Sequence, residues 1–195
     1  DSYDIYKKFQ KKYKIDNELA DLCIKTELEI EQEVLLPRED MLDIFRQCIR
    51  MGKRVCLVSD MYIPGELLVP ILEKNGITGY DRLYISCDKK QLKLQGLLET
   101  YQNESGVTEN LHIGDHVIHD GICAGLAGME YCLVESSYKA AMRTMLREGI
   151  CSAASLEEHV ILGLVIAKLL NSPFAVKEHT DNILIQKDYD YGYGF

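Results

Sequence analysis

The strongest constraint on this chain is residues 55–62, VCLVSDMY, where an apolar run leads straight into Ser59 and Asp60. A short apolar run entered from Gly52, Lys53 and Arg54 predicts a strand buried on both faces. Its carboxyl end carries a hydroxyl and an acid where a core strand would continue apolar. In open parallel sheets ligands collect at the carboxyl ends of strands, so Ser59 marks the edge of a site. A second stretch, residues 111–120, LHIGDHVIHD, has the same design: a short apolar strand, Gly114, then Asp115 and Asp120. Lys93 lies between the two stretches in sequence. A hydroxyl, a lysine and two acids at strand ends are the parts of a metal-dependent phosphate site.

Strands and helices alternate around these stretches. The strand at 55–58 is followed by a predicted helix over 64–75, stopped by Gly76 and kinked or delayed by Pro70. A strand is predicted at 83–86, a helix at 92–101, a strand at 111–113, a helix at 120–127 and a strand at 131–134. That alternation predicts an α/β fold, a Rossmann-like parallel sheet with helices on both faces. Residues 137–148 and 156–170 read as helices, and the Gly/Tyr-rich residues 188–195 as a loop or chain end.

The front of the chain is helical. Tyr3, Tyr6, Phe9 and Tyr13 are spaced as a helix stripe, read as packed side chains rather than a platform for bases. Asp16 or Asn17 is expected to cap a second helix over 18–33, whose alternating Glu27, Glu29, Glu31 and Glu33 form a solvated face. Pro37 ends the connection, and residues 38–51 read as an amphipathic helix closed by Gly52. The expected organisation is a helical cap segment over 1–36, an α/β core over 37–150 and a helical extension over 151–195.

Composition narrows the function. A net charge of -9 argues against a nucleic-acid surface, which needs clustered Lys and Arg. The longest apolar run, near residues 160–170, is broken by Gly163 and Lys168, so no membrane span is expected. The 7 cysteines, without a C-x-x-C pair, read as reduced thiols, and with no signal-peptide pattern the expected setting is cytoplasmic. Cys23, Cys56, Cys123 and Cys132 are expected to be buried. The chain does not begin with Met, so a processed piece or a cloned domain is expected. His112, His116 and His119 have a spacing that zinc could use. The strand position of His112 should turn its ring away from the loop, however, and hydrogen-bonding or exposed histidines are the expectation.

At residues 41–134 the chain resembles the haloacid-dehalogenase-like (HAD) hydrolase superfamily, most of whose members are magnesium-dependent phosphotransferases. The closer likeness is to HAD-like domains of bacterial polysaccharide-biosynthesis proteins, often found beside glycosyltransferase domains. There a strand ending in Ser-Asp-Met-Tyr and a later His-Ile-Gly-Asp recur. The resemblance implies that Ser59, with backbone N–H groups near Asp60, binds the transferring phosphoryl group. Lys93, in KLQG, would be the motif lysine, with Lys89 and Lys90 as the other candidates. Gly114, Asp115 and Asp120 would be the GDxxxxD motif, in which Asp115 holds Mg²⁺ and Asp120 completes or orients its shell.

The family's first motif, a strand ending in D-x-D whose first Asp is the nucleophile, has no counterpart in this chain. The only candidate near the front, DSYD at residues 1–4, has no apolar strand before it. The implied enzyme is a phosphatase or phosphotransferase for a small phosphorylated metabolite, with a sugar phosphate suggested only by association. It would be completed by an upstream segment and inactive without it. The other expectation is a degenerate, non-catalytic HAD-like module for binding or assembly, attached to a glycosyltransferase.

Overall fold

The structure is a computed structural model that describes residues 2–172; the expected loop at residues 188–195 lies outside the described residues. The chain opens with a helical hairpin, α1 (Ser2–Tyr13) and α2 (Asn17–Val34). Asp16 caps α2 by accepting from the Leu19 N–H at 2.8 Å. Within the aromatic stripe of α1, the ring centroids of Tyr6 and Phe9 lie 6.3 Å apart and those of Phe9 and Tyr13 4.6 Å apart. Next come α3 (Glu39–Arg50), β1 (Cys56–Ser59), α4 (Gly65–Lys74), β2 (Arg82–Ile85) and a single turn, α5 (Ser86–Lys89).

The helix expected over 92–101 is divided. A 3₁₀ turn at Lys93–Gln95 ends at Gly96, whose φ of +98° only glycine adopts without strain, and α6 (Leu97–Ser105) starts afresh. β3 (Leu111–Gly114) leads into a π-helical segment, Val117–Ile122, then α7 (Cys123–Leu126) and β4 (Glu130–Leu133). The helix expected over 137–148 is also broken, into α8 (Ser137–Ala141) and α9 (Leu146–Ser152), before α10 (Leu156–Leu169). Pro70 lies inside α4 without interrupting it.

The protein is mixed α/β, and its strands form two parallel pairs, β1 with β2 and β3 with β4. A single Rossmann-like sheet, as expected from the alternation, is not what the described residues form. The β1–β2 pair is covered on both faces. Cys56, Val58 and Tyr84 pack with Leu97, Leu98 and Tyr101 of α6, while Leu83 and Ile85 pack with Leu68 and Leu72 of α4.

The β3–β4 pair differs. The helix after β3 lies over one face, where Gly121 and Gly125 come against Tyr131. On the other face Leu111, Ile113 and Cys132 are exposed among the described residues. The expected burial of Cys132 therefore fails, because no described element covers that side. Of the other cysteines in that expectation, Cys123 is buried, and Cys23 and Cys56 are half-buried.

Two contacts tie the flanking helices to the strands. Leu28 of α2 joins Ile63, Leu68 and Ile85 in one apolar cluster, and the Tyr62 hydroxyl reaches Glu31 at 3.1 Å and Glu27 at 3.4 Å. At the other end, α8, α9 and α10 share a cluster built on Ala140, Ala141, Leu169 and Leu170. Arg38, just before α3, donates to the backbone carbonyls of Glu135 at 2.8 Å and Asn171 at 3.2 Å, and so fastens that cluster beside the end of β4. No helix among the described residues is long and apolar enough to cross a membrane.

Tyr62 makes the α2 contact testable. Burial, then the hydrogen bond to Glu31 and the nearby Glu27, pushes its phenol up to about 12. A raised phenol contributes stability that is complete below the unfolded value of about 10 and is lost as pH rises through the folded value. Tyr62→Phe is expected to cost on the order of 1 kcal/mol, with amide exchange in α2 accelerated more than in α6. Equal protection of α2 in both proteins would mean that the Tyr62 hydroxyl does not hold the helix.

Candidate functional site

Asp120 is the centre of the candidate site. It is 6% exposed, and its carboxylate receives four donors: Lys93 Nζ at 2.6 Å and His112 Nε2 at 3.0 Å on Oδ1, with the Asp115 and His116 N–H groups at 3.1 and 2.9 Å on Oδ2. The π-helical segment explains how the acid gets there. Its widened turn, with the Gly121 N–H reaching the His116 carbonyl at 3.3 Å, folds back over the end of β3. Gly114 leaves the space, since a Cβ there would overlap the Asp120 side chain. Burial alone would raise the Asp120 pKa. The hydrogen bonds from His112, Lys93 and the His116 N–H, together with the Lys93 charge, overcome this and hold it well below the usual carboxylate range.

Lys93 connects the two strand pairs. Its side chain is buried with Asp120, and its own N–H donates to Asp60 Oδ1 at 2.9 Å. Asp60 Oδ2 is buried without a well-formed hydrogen bond, and His119 Nδ1 stands 3.3 Å from it. The ends of β1 and β3 are thus joined by Asp60, Lys93 and Asp120, with Asp115 attached through its N–H. Of the three candidate lysines, Lys93 alone meets these acids. Lys89 pairs with Glu104 at 2.7 Å, and Lys90, held at a φ of +53°, lines a neighbouring cavity.

Ser59 and Asp115 stand at the rim. Ser59 is the last residue of β1, half-buried, and its Oγ has no hydrogen bond among the described residues. The Asp115 carboxylate is exposed and likewise without a hydrogen bond among those residues. Arg38 acts on it electrostatically: burial lowers the guanidinium pKa, and Asp115 opposes that shift. Lys139 Nζ donates to the Asp115 carbonyl at 2.9 Å. The structure therefore brings Asp60, Lys93, Asp115 and Asp120 into one bonded network, and leaves Ser59 next to it in sequence without a bond to it.

A cavity of about 460 Å³ opens beside Asp60, between Met61 and Tyr62 after β1 and Cys87, Gln91 and Leu92 after β2. No group of three His, Cys, Asp or Glu side chains among the described residues is placed to hold a metal on its own.

His112 corrects the expectation that its ring turns away. It shares a strand face with Gly114, and the segment after β3 covers that same face, so the imidazole meets Asp120. The two-residue period of a strand puts His112 on the face of Gly114, but which face the following segment covers is set by the fold. Arg38 and Lys139 were also missed, and they have no local signal: Arg38 reaches carbonyls at positions 135 and 171. His116 and His119 stack with centroids 4.2 Å apart. In comparisons with known proteins, no protein-family model matches the chain, and no curated protein is similar to it at a significant level.

Proposed function

We propose that this chain is the larger part of a HAD-like, magnesium-dependent phosphatase or phosphotransferase site for a small phosphorylated metabolite. The observation that carries the reading is Lys93: buried at 9% exposure, with one of its three ammonium donors on Asp120 and no other partner among the described residues. Buried donors left open call for an acceptor, and a phosphoryl group in transfer supplies one. The Ser59 hydroxyl, without a hydrogen bond among the described residues, can take a second phosphoryl oxygen, and the cavity beside Asp60 offers room for the body of the substrate.

Magnesium, when bound, neutralises phosphoryl oxygens. Asp115 fits it, as an exposed carboxylate with no competing hydrogen bond among the described residues. Asp120, with both oxygens already engaged, fits the role of orienting Lys93 and the Asp115 backbone. In the same reading the two strand pairs are halves of one parallel Rossmann-like sheet, and α1 and α2 are its cap. Among the described residues β1 and β3 each keep one edge without a strand partner, and their carboxyl ends are linked through Lys93. A strand supplied by a preceding segment, ending in D-x-D, would lie between them and contribute the nucleophile. A sugar phosphate, a linked glycosyltransferase domain and a cytoplasmic setting belong to this proposal by association.

One observation favours the second reading, a non-catalytic HAD-like module: no strand among the described residues ends in D-x-D. The test extends the chain by its natural preceding segment and measures magnesium-dependent hydrolysis of p-nitrophenyl phosphate. Activity is expected in the extended protein only, and Asp115→Ala in that protein should lower it by about 10²-fold or more. An extended protein that lacks a D-x-D strand and hydrolyses nothing establishes the second reading. Full activity of the Asp115→Ala protein would mean that another acid holds the metal.

A further inference from the structure

We propose that His112 is a positioning residue for Lys93: its Nε2–H occupies one side of Asp120 Oδ1, so that the Lys93 ammonium takes the other and is presented to an anion. The proposal rests on the phosphate-site reading above and adds a residue that the reading did not require.

The geometry supplies the reason. Asp120 Oδ2 is held by two backbone N–H groups, which anchor one end of the carboxylate. With Oδ2 held, the planar carboxylate places Oδ1 as well, but not the direction from which each donor approaches it. Oδ1 accepts from two side chains, Lys93 Nζ at 2.6 Å and His112 Nε2 at 3.0 Å. Lys93 hangs on a flexible four-carbon stem and cannot by itself define which side of Oδ1 it takes. The imidazole can, because its side chain is 10% exposed and is carried by β3, with the segment that bears Asp120 folded over the same face. A ring fixed on a strand, acting on a lysine through a carboxylate, is how supporting groups set the aim of a charged side chain.

The same contact explains why His112 is neither a ligand nor a surface residue. Its Nε2 is engaged with the buried Asp120 carboxylate and is not open to a metal. His119 and Asp60 form the other imidazole–carboxylate pair here, 3.3 Å apart.

The test uses the full chain at one fixed pH and reads the ¹H–¹⁵N signal of the Lys93 ammonium by NMR, with inorganic phosphate as the probe. In the unaltered protein the signal is expected to be visible, because a buried ammonium exchanges slowly, and to shift on phosphate addition. His112→Ala and His112→Asn should lose the signal and weaken phosphate binding about tenfold, the usual cost of removing such a supporting group. His112→Gln places an amide N–H at the reach of Nε2 and should restore both to within about twofold.

A packing role alone would not separate Gln from Asn in this way. A Lys93 signal unchanged in His112→Ala, in a protein shown to be folded by its amide spectrum, overturns the proposal. A signal that follows the expected order in a protein that binds no phosphate keeps His112 as the positioning residue and removes the phosphate reading instead.

Discussion

Gly114→Ala is expected to destabilise the protein by about 3–5 kcal/mol, the range for breaking a buried charge pair. The added methyl would occupy the place of the Asp120 side chain, which meets backbone on one side and Lys93 and His112 on the other. Neither neighbour offers an easy retreat. Lys93 is buried, and the two N–H groups that bind Oδ2 belong to the turn itself. Asp120 would have to leave, and Lys93 would remain as a buried, uncompensated cation. Gly163→Ala is the control. Gly163 lies within α10 with nothing near the added Cβ, so the change should be neutral or stabilise by up to about 1 kcal/mol. Urea unfolding of both proteins measures the contrast. A Gly114→Ala cost below that of an ordinary surface change would mean that Asp120 has a second seat.

Lys93→Met is expected to have a comparable effect, again about 3–5 kcal/mol, because it leaves the buried Asp120 carboxylate without its cation. Asp120→Asn in the Lys93→Met background removes the stranded charge. The double variant should therefore be less destabilised than the sum of the single changes, with a coupling of roughly 1–3 kcal/mol. Strict additivity would show that the 2.6 Å contact contributes little beyond packing.

The same pair sets the acid limb of stability. The folded Asp120 pKa lies below the unfolded value of about 3.9, so its contribution is complete above that value and is lost as pH falls towards the folded one. In Lys93→Met the Asp120 pKa rises, and the loss should begin at higher pH. Urea midpoints measured across the acid range would show the displacement.

The sequence by itself determined the short apolar strands at β1 and β3, the acids and hydroxyl at their ends and the capped α2, because each depends on a local rule. An apolar run of four residues reads as a strand, Asp16 caps whatever helix follows, and a parallel strand delivers its carboxyl end to one edge. The local rules failed where backbone geometry is set by partners distant in sequence. Residues 92–101 have helix-forming side chains, yet the N–H of Lys93 is drawn to Asp60 of another strand and Gly96 takes a left-handed turn, which splits the helix.

The tertiary structure alone decided that Lys93, not Lys89 or Lys90, meets the acids, and that His112 turns inward. Both follow from the π-helical turn that swings Asp120 over β3. It also decided that the strands pair two by two. Strand order depends on which edges find partners, and nothing within either apolar run encodes that choice. The exposed Leu111 and Ile113 illustrate the limit. Their apolar character predicts burial, while their actual exposure depends on whether another element reaches that face of β3.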